Sequence, residues 1–308
     1  MTFFLVHLTQ FVAELLGDVM CNLKSAVRVS ALCGWLGLLI QSISAADAIV
    51  VPEGTAARSF SVFDGLLFRE KPDLRSQGVQ GISIVYAGSF WKRDESNDEA
   101  PSDEKIAKIA SDLKDNSTPI VIDIEHWSLQ GDQDLVAQNI KKYRSVANRL
   151  KAHLPDRRIG YYSLLPLRDY HRALKGSNTL PYRAWQEEND QLVSLAKDVD
   201  ILFPSLYTFY RDEDGWERYA KEQIREARRV ANGKRVIAFL WPRYHSGNSP
   251  FGGGPIPATF WRRQLELVFK LADGVVLWGG WQQSWDENAS WWQETKSFMR
   301  DKGLAKSR

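Results

Sequence analysis

Ile120-Val121-Ile122-Asp123-Ile124-Glu125-His126-Trp127 is an apolar run that ends in two carboxylates. The Asn116-Ser117-Thr118-Pro119 segment ahead of it is a turn signal. The β-branched residues from Ile120 to Ile124 predict a fully buried strand of the kind parallel sheets use. Side chains alternate faces along a strand, so Asp123 and Glu125 point the same way with α-carbons roughly 6.5 Å apart. Two acids side by side at the end of a buried strand repel each other, and burial adds to the cost. For breaking a glycosidic bond the same arrangement is useful, because repulsion and desolvation raise one pKa and yield an acid that keeps its proton near neutral pH. The plain alternative is a solvated strand end with one acid capping the next turn.

Outward from this stretch the chain alternates strand and helix. Strands are predicted at Ser59–Phe63, Ile82–Tyr86, Ile120–Ile124, Arg158–Tyr162, Ile201–Ser205, Val236–Leu240 and Val275–Trp278. Helices are predicted from a Ser102 cap through Ile106, Ile109, Ala110 and Leu113, and over Asp132–His153, Ala184–Lys197, Trp216–Ala231, Thr259–Leu271 and Ser290–Lys302. Alternation over about 260 residues predicts an α/β protein of the (β/α)8-type (TIM) barrel class, distorted to seven regular strands with one irregular or missing. No repeat or linker divides it, so residues 49–308 form one catalytic domain.

The first 48 residues read as a leader. Lys24 and Arg28 precede the apolar Val29–Ile43, and Ala46-Asp47-Ala48 supplies small residues for cleavage. The expectation is a secreted or periplasmic protein with no stable membrane insertion once the leader is removed; an uncleaved N-terminal anchor is the alternative. Both cysteines, Cys21 and Cys33, fall in the leader, so the mature chain has none to pair. A net charge of +2 argues against nucleic acid as a partner. Twelve tryptophans are unusual, and indoles on loops suit the C–H faces of sugars.

Active residues of a barrel lie where strands end and βα loops begin. Those ends carry Tyr86, Asp123, Glu125, Tyr161, Tyr162, Ser205, Tyr207, Trp241, Arg243, Trp278 and Trp281, a set rich in carboxylate, phenol and indole. His126 and His245 lack metal-ligand spacing and read as hydrogen-bonding loop residues, so neither a metal nor a cofactor is expected. Phe251-Gly252-Gly253-Gly254-Pro255 lacks the Lys-Ser/Thr of a phosphate loop, and no G-x-S-x-G elbow occurs.

Six short blocks occur in an order and spacing that resembles the animal and venom hyaluronidases. They are Asp123-Ile124-Glu125-His126-Trp127, Gly160-Tyr161-Tyr162, Asn189-Asp190-Gln191-Leu192, Phe203-Pro204-Ser205-Leu206-Tyr207, Arg225-Glu226-Ala227 with Arg229-Val230-Ala231, and Gly274-Val275-Val276-Leu277-Trp278-Gly279. The resemblance implies a distorted β/α barrel. It also implies cleavage of bonds next to N-acetylhexosamine with retention, the substrate's acetamido oxygen acting as nucleophile. It gives Glu125 the role of acid and base, and Asp123 that of holding and polarising the acetamido group. Tyr162 and Tyr207 would contact that group and the reacting sugar, and Trp278 would wall the N-acetyl methyl. Without the resemblance, the alternative is a core phenol with a satisfied hydroxyl for Tyr162 and Tyr207, and a barrel-core indole for Trp278.

The departures concern the substrate. Ser128 and Gln223 stand where the family usually has arginines associated with uronate carboxylates, a role suited to a bidentate guanidinium. The expectation is weak activity on hyaluronan relative to a less acidic N-acetylhexosamine polysaccharide, with Trp241, Arg243 and Trp281 helping to select it; Arg168, Arg225 or Arg243 is the alternative reader. Two rival functions fit the same residues. One is a glycosidase with a conventional carboxylate nucleophile, for which Asp286 and Glu187 are the available partners. The other is a barrel that binds carbohydrate without cutting it.

Overall fold

The computed structural model describes residues 59–247 and 252–306; the expected leader, with both cysteines, lies outside them. Parallel strands β1 (Ser61–Leu66), β2 (Gln80–Gly81) and β3 (Ser83–Tyr86) lead into helices α1 (Ala87–Phe90) and α2 (Asp103–Leu113). Then follow β4 (Ile120–Asp123), α3 (Gln133–His153), β5 (Ile159–Tyr161), α4 (Leu180–Gln191) and α5 (Val193–Asp198). The remainder is β6 (Ile201–Leu202), α6 (Glu213–Ala231), β7 (Arg235–Leu240), α7 (Ala258–Leu271), β8 (Gly274–Gly279) and α8 (Ser290–Asp301).

The strands hydrogen-bond in two groups, β2-β1-β8-β7-β6 and β3-β4-β5. Strands β2 and β3 are halves of one run interrupted at Ile82, the first half paired to β1 and the second to β4. Between β5 and β6 the ladder is reduced to a bridge at Tyr162 and Phe203, with Asp200 N–H donating to the Ile159 carbonyl (2.7 Å) and Ser163 N–H to that of Phe203 (2.9 Å). The chain is thus a distorted β/α barrel whose ring has a kink and a thin seam.

The boundaries depart from expectation for local reasons. The first strand starts at Ser61, and the acidic strand stops at Asp123, leaving Ile124 and Glu125 in the following loop. Strand β6 is regular for two residues only, because Pro204 has no N–H to give the ladder. The helix expected at Ala184 begins at Leu180, where Thr179 accepts from Tyr182 N–H and Pro181 fits the first turn, and it breaks at Leu192. Ser102 occupies the N-cap position of α2, but its hydroxyl makes no bond to the helix backbone.

Strand alternation sorts the core into two layers. Ile120, Ile122 and Ile124 face the helices, buried with residues such as Tyr143, Val146 and Leu150 of α3. Val121 faces inward, where it packs with Phe63, Ile201, Phe203, Ile237, Phe239 and Val276 to fill the barrel. One position helps close the seam. A Cβ on Gly160 would lie 2.1 Å from the Ile201 carbonyl oxygen and 2.8 Å from the Phe203 ring. Gly160→Ala should therefore force β5 from β6 and lower stability by about 1–3 kcal/mol. At roughly 2–4 °C per kcal/mol for a domain of this size, thermal unfolding should show a fall of several degrees.

Candidate active site

The residues one step above the apolar filling form the floor of a cleft. Register pairs Val121 with Ile84 and Asp123 with Tyr86, so Asp123 and Tyr86 stand side by side on neighbouring strands. Val276 pairs with Phe239, which puts Trp278 and Trp241 at the corresponding level on β8 and after β7. Asp123, Glu125, Tyr162, Tyr207, Trp241 and Trp278 line one cleft of about 340 Å³, together with Arg168 and His245. Glu125, Tyr162 and Arg168 also line an adjoining space of about 300 Å³ that runs past Ser128. The cleft therefore extends to both sides of Glu125.

The loop beyond β4 is pinned. The Tyr143 hydroxyl lies 3.1 Å from the Ile124 carbonyl and 3.0 Å from that of Trp127, its proton shared between them. Trp127 Nε1–H donates to the Asn97 carbonyl at 2.8 Å, and the rings of Trp91, His126 and Tyr143 surround the Trp127 ring edge-on. The buried Ile124 thus fixes where Glu125 emerges.

An aromatic wall holds the other side. Trp278 stacks on Tyr207 at 5.5 Å and donates its N–H to the Tyr86 hydroxyl at 3.1 Å. Trp241 stands edge-on to both Tyr207 and Trp278. The Tyr162 hydroxyl donates to Ser205 Oγ at 3.1 Å, and the hydroxyl of Tyr170 bonds the Tyr207 carbonyl. His245 accepts from Gly247 N–H through Nδ1 (3.0 Å), which leaves the ring proton on Nε2.

Neither Asp123 nor Glu125 has a hydrogen-bond or ion-pair partner among the described residues. Burial, and then the charge of Glu125, pushes the Asp123 carboxyl up to about 7. Burial also raises Glu125, although it faces the open cleft, and the Arg168 charge opposes part of that rise. Arg168 favours charge on Glu125, whereas burial and the neighbouring carboxylate both favour the proton on Asp123; the resemblance assigns the proton to Glu125. Burial, then Arg168, lowers His245 to about 4, so this ring is neutral at physiological pH.

Two expected site residues lie outside the cleft lining. Arg243 spends its guanidinium on the Gly253 carbonyl (2.5 Å) and Gln283 Oε1 (3.2 Å), holding two loops together, and Trp281 is exposed on the surface. Of the alternative uronate readers, Arg225 pairs with Glu222 on α6, while Arg168 enters the cleft and rests on the Phe209 ring at 5.1 Å. Gln223 is fully buried and donates to the Pro166 and Leu167 carbonyls, bracing the loop that carries Arg168. Glu187 and Asp286 do not line the cleft; Asp123 and Glu125 are its only carboxylates among the described residues. His245 is the cleft residue that sequence reading assigned only a loop role. Among the described residues no His, Cys, Asp and Glu gather to hold a metal ion, and no helix is long and apolar enough to cross a membrane.

Comparison with solved structures finds this barrel in bee venom hyaluronidase, with a TM-score of 0.58 and 16% sequence identity over 79% of this chain and 97% of that one. The bee venom hyaluronidase structure in complex with a hyaluronic acid tetramer matches with a TM-score of 0.55 and 16% identity over 80% and 96% of the two chains. The two proteins share a fold. No family model matches the sequence, and no curated protein matches it.

The raised Asp123 carboxyl has a consequence for stability. Its folded pKa of about 7 exceeds its ordinary value of 3.8, so the folded chain holds the proton more tightly. Stability from this group is full below about pH 4 and lost as pH rises to about 7. Asp123→Asn, which stays neutral, should gain on the native chain by about 2–4 kcal/mol between pH 4 and pH 8, read from urea unfolding at each pH.

Proposed function

We propose that the protein is a glycoside hydrolase resembling hyaluronidases, which cuts N-acetylhexosamine-containing polysaccharide by a retaining, substrate-assisted mechanism. It acts after export, as the leader-like first 48 residues lead one to expect. The observation that carries the reading is the pair of unpartnered carboxyls in an aromatic-walled cleft that continues on both sides of Glu125. Such a cleft suits a chain passing through it and cut internally. A conventional pair flanks the scissile bond, but Asp123 and Glu125 leave the same strand together and no carboxylate of the described lining faces them across the cleft, which favours a nucleophile supplied by the substrate.

The chemistry follows from the placement. The acetamido N–H of the bound sugar donates to the Asp123 carboxylate and stabilises its charge; Asp123 gives up its proton, and the repulsion between the two acids then favours the protonated form of Glu125. The acetamido oxygen attacks the anomeric carbon while the glycosidic bond breaks, and the Glu125 proton goes to the leaving oxygen. Asp123 balances the positive oxazolinium ring. Glu125 then takes a proton from water, which opens that ring and restores the original configuration. Tyr162, Tyr207 and Trp278 bound the acetamido pocket, and Trp241 extends its wall.

Specificity turns on charge. Ser128 brings a hydroxyl where an arginine would reach, and Gln223 is occupied beneath the loop. Arg168 is left as the cation of the cleft lining among the described residues. A single exposed guanidinium favours a sparsely charged polymer over a strictly alternating uronate one. It leaves a measurable selectivity for an acidic sugar next to the cut bond.

Glu125→Gln should lose at least about 10²–10⁴-fold in turnover while keeping its fold and oligosaccharide binding, because the amide cannot deliver a proton. Release of reducing ends from hyaluronan, chondroitin and chitin-type oligomers measures it, and wild-type rates in the variant would refute the mechanism. On the same panel Arg168→Ala should cost about tenfold in kcat/KM on the acidic members and little on the neutral ones. An equal loss on both would remove Arg168 from charge reading.

A further inference from the structure

A second concavity opens beside the cleft, on the same two βα loops. The loop after β5 gives Tyr162 and Arg168 to the cleft, then Tyr170, His171 and Leu174 to a pocket of about 240 Å³. The loop after β6 gives Tyr207 to the cleft, then Tyr210 and Asp212 to that pocket. A continuous run of rings joins the two. His245 in the cleft stacks on Phe209 at 4.2 Å, Phe209 meets Tyr170 edge-on at 5.2 Å, and Tyr170 meets Tyr210 edge-on at 5.9 Å.

We propose that this pocket is a distal sugar-binding subsite, occupied by units of the same polysaccharide chain that lies in the cleft. The inference rests on the glycosidase reading of the cleft and extends it to substrate length. Tyr210 is 57% exposed and Leu174 39%, an apolar surface that folding leaves uncovered. A pyranose has an apolar C–H face for such a ring and hydroxyls around its edge. The exposed Asp212 and His171 line the pocket and can bond those hydroxyls. Its small, polar-edged shape fits a sugar unit better than a flat protein partner.

The platform is built before anything binds. Tyr170 is sandwiched on Tyr219 at 3.7 Å. The Asp169 carboxylate accepts from the backbone N–H of His171 (2.9 Å) and Arg172 (2.6 Å), and Arg172 forks onto Glu188. Asp212 is held as the N-cap of α6, accepting from Gly215 N–H at 2.8 Å. Little ordering is left to oppose binding.

The test is a ladder of hyaluronan and chitin oligosaccharides from tetramer to dodecamer, cut by the native enzyme and by Tyr210→Ala. For the native enzyme kcat/KM should climb with length until the chain reaches the pocket, then level off. Tyr210→Ala should flatten that climb, raising KM for the longest oligomers about tenfold and leaving kcat and the tetramer rates unchanged. Tyr210→Trp should restore the climb, and Leu174→Asp should weaken it. In a Glu125→Gln background, calorimetry should show the same length-selective loss of affinity. An equal loss on short and long oligomers, or no length dependence in the native enzyme, overturns the subsite while the glycosidase reading stands. If no oligomer is cut or bound, both fall. If Tyr210→Ala instead dissolves a dimer and leaves the ladder unchanged, the patch is a contact between copies and the subsite is refuted.

Discussion

Everything in this site depends on setting two carboxyls above a dry apolar filling. Once Val121 faces the barrel axis, strand alternation makes Asp123 the next inward residue on β4, and Glu125 emerges two residues later from the loop that Tyr143 pins. From below, Phe63, Phe239 and Val276 exclude water, so the acids are hydrated only from the cleft. Their charges must then be neutralised by a proton or by something entering from above. A structure that stabilised them with lysines or arginines would be firmer and chemically inert. This one instead leaves the carboxyls unpaired and holds their backbone.

How that backbone is held explains much of the surrounding architecture. Tyr143 on α3 reaches the Ile124 and Trp127 carbonyls, so the helix that covers β4 also sets the angle at which Glu125 leaves the strand. The same division of labour recurs after β5. Asn189 accepts from Leu167 N–H through its side chain, Trp185 N–H donates to the Leu167 carbonyl, and Gln223 donates to the carbonyls of Pro166 and Leu167. Buried polar side chains on the covering helices thus fix loops whose own side chains remain free to act. A buried amide is costly unless bonded, and here the bonds made go to loop backbone, while Asn189 Nδ2 and Gln223 Oε1 have no partner among the described residues.

Much of this was legible in the sequence where one periodicity ruled. The apolar run ending in Asp123 and Glu125 gave the strand, its inward face and the level of the cleft. The strand-end aromatics Tyr162, Tyr207, Trp241 and Trp278 followed from the same logic and do meet. Reading failed where contacts are not periodic. The division at Ile82 depends on which neighbour each half of the run bonds, information carried by β1 and β4. Arg243 and Trp281 sit at strand ends, as cleft residues do, but their loops turn them elsewhere. Arg168 lies well past its strand, on a loop clamped from beneath at Pro166 and Leu167, and lines the cleft with Glu125. The left-handed Ser163, with a φ of 54°, marks the turn where that loop leaves the strand line, and its sequence carries no glycine to announce it.

Gln223 shows why a residue that departs from a resemblance has to be judged by where it sits. Read along the chain, a glutamine where the resemblance leads one to expect an arginine is a missing cation. In the fold the position is buried beneath the loop that bears Arg168, and an amide there satisfies two carbonyls without bringing a charge into the core. Burying a guanidinium at that point would require a matching anion or an opening to solvent. The nearby carboxylates are already committed, Glu222 to Tyr182 and Arg225, and Glu226 to Gln186 and Arg229. The amide and the exposed Arg168 are therefore consistent with each other: the cation stands at the cleft surface on the Phe209 ring, where water reaches it, and Gln223 beneath the loop supplies only neutral bonds.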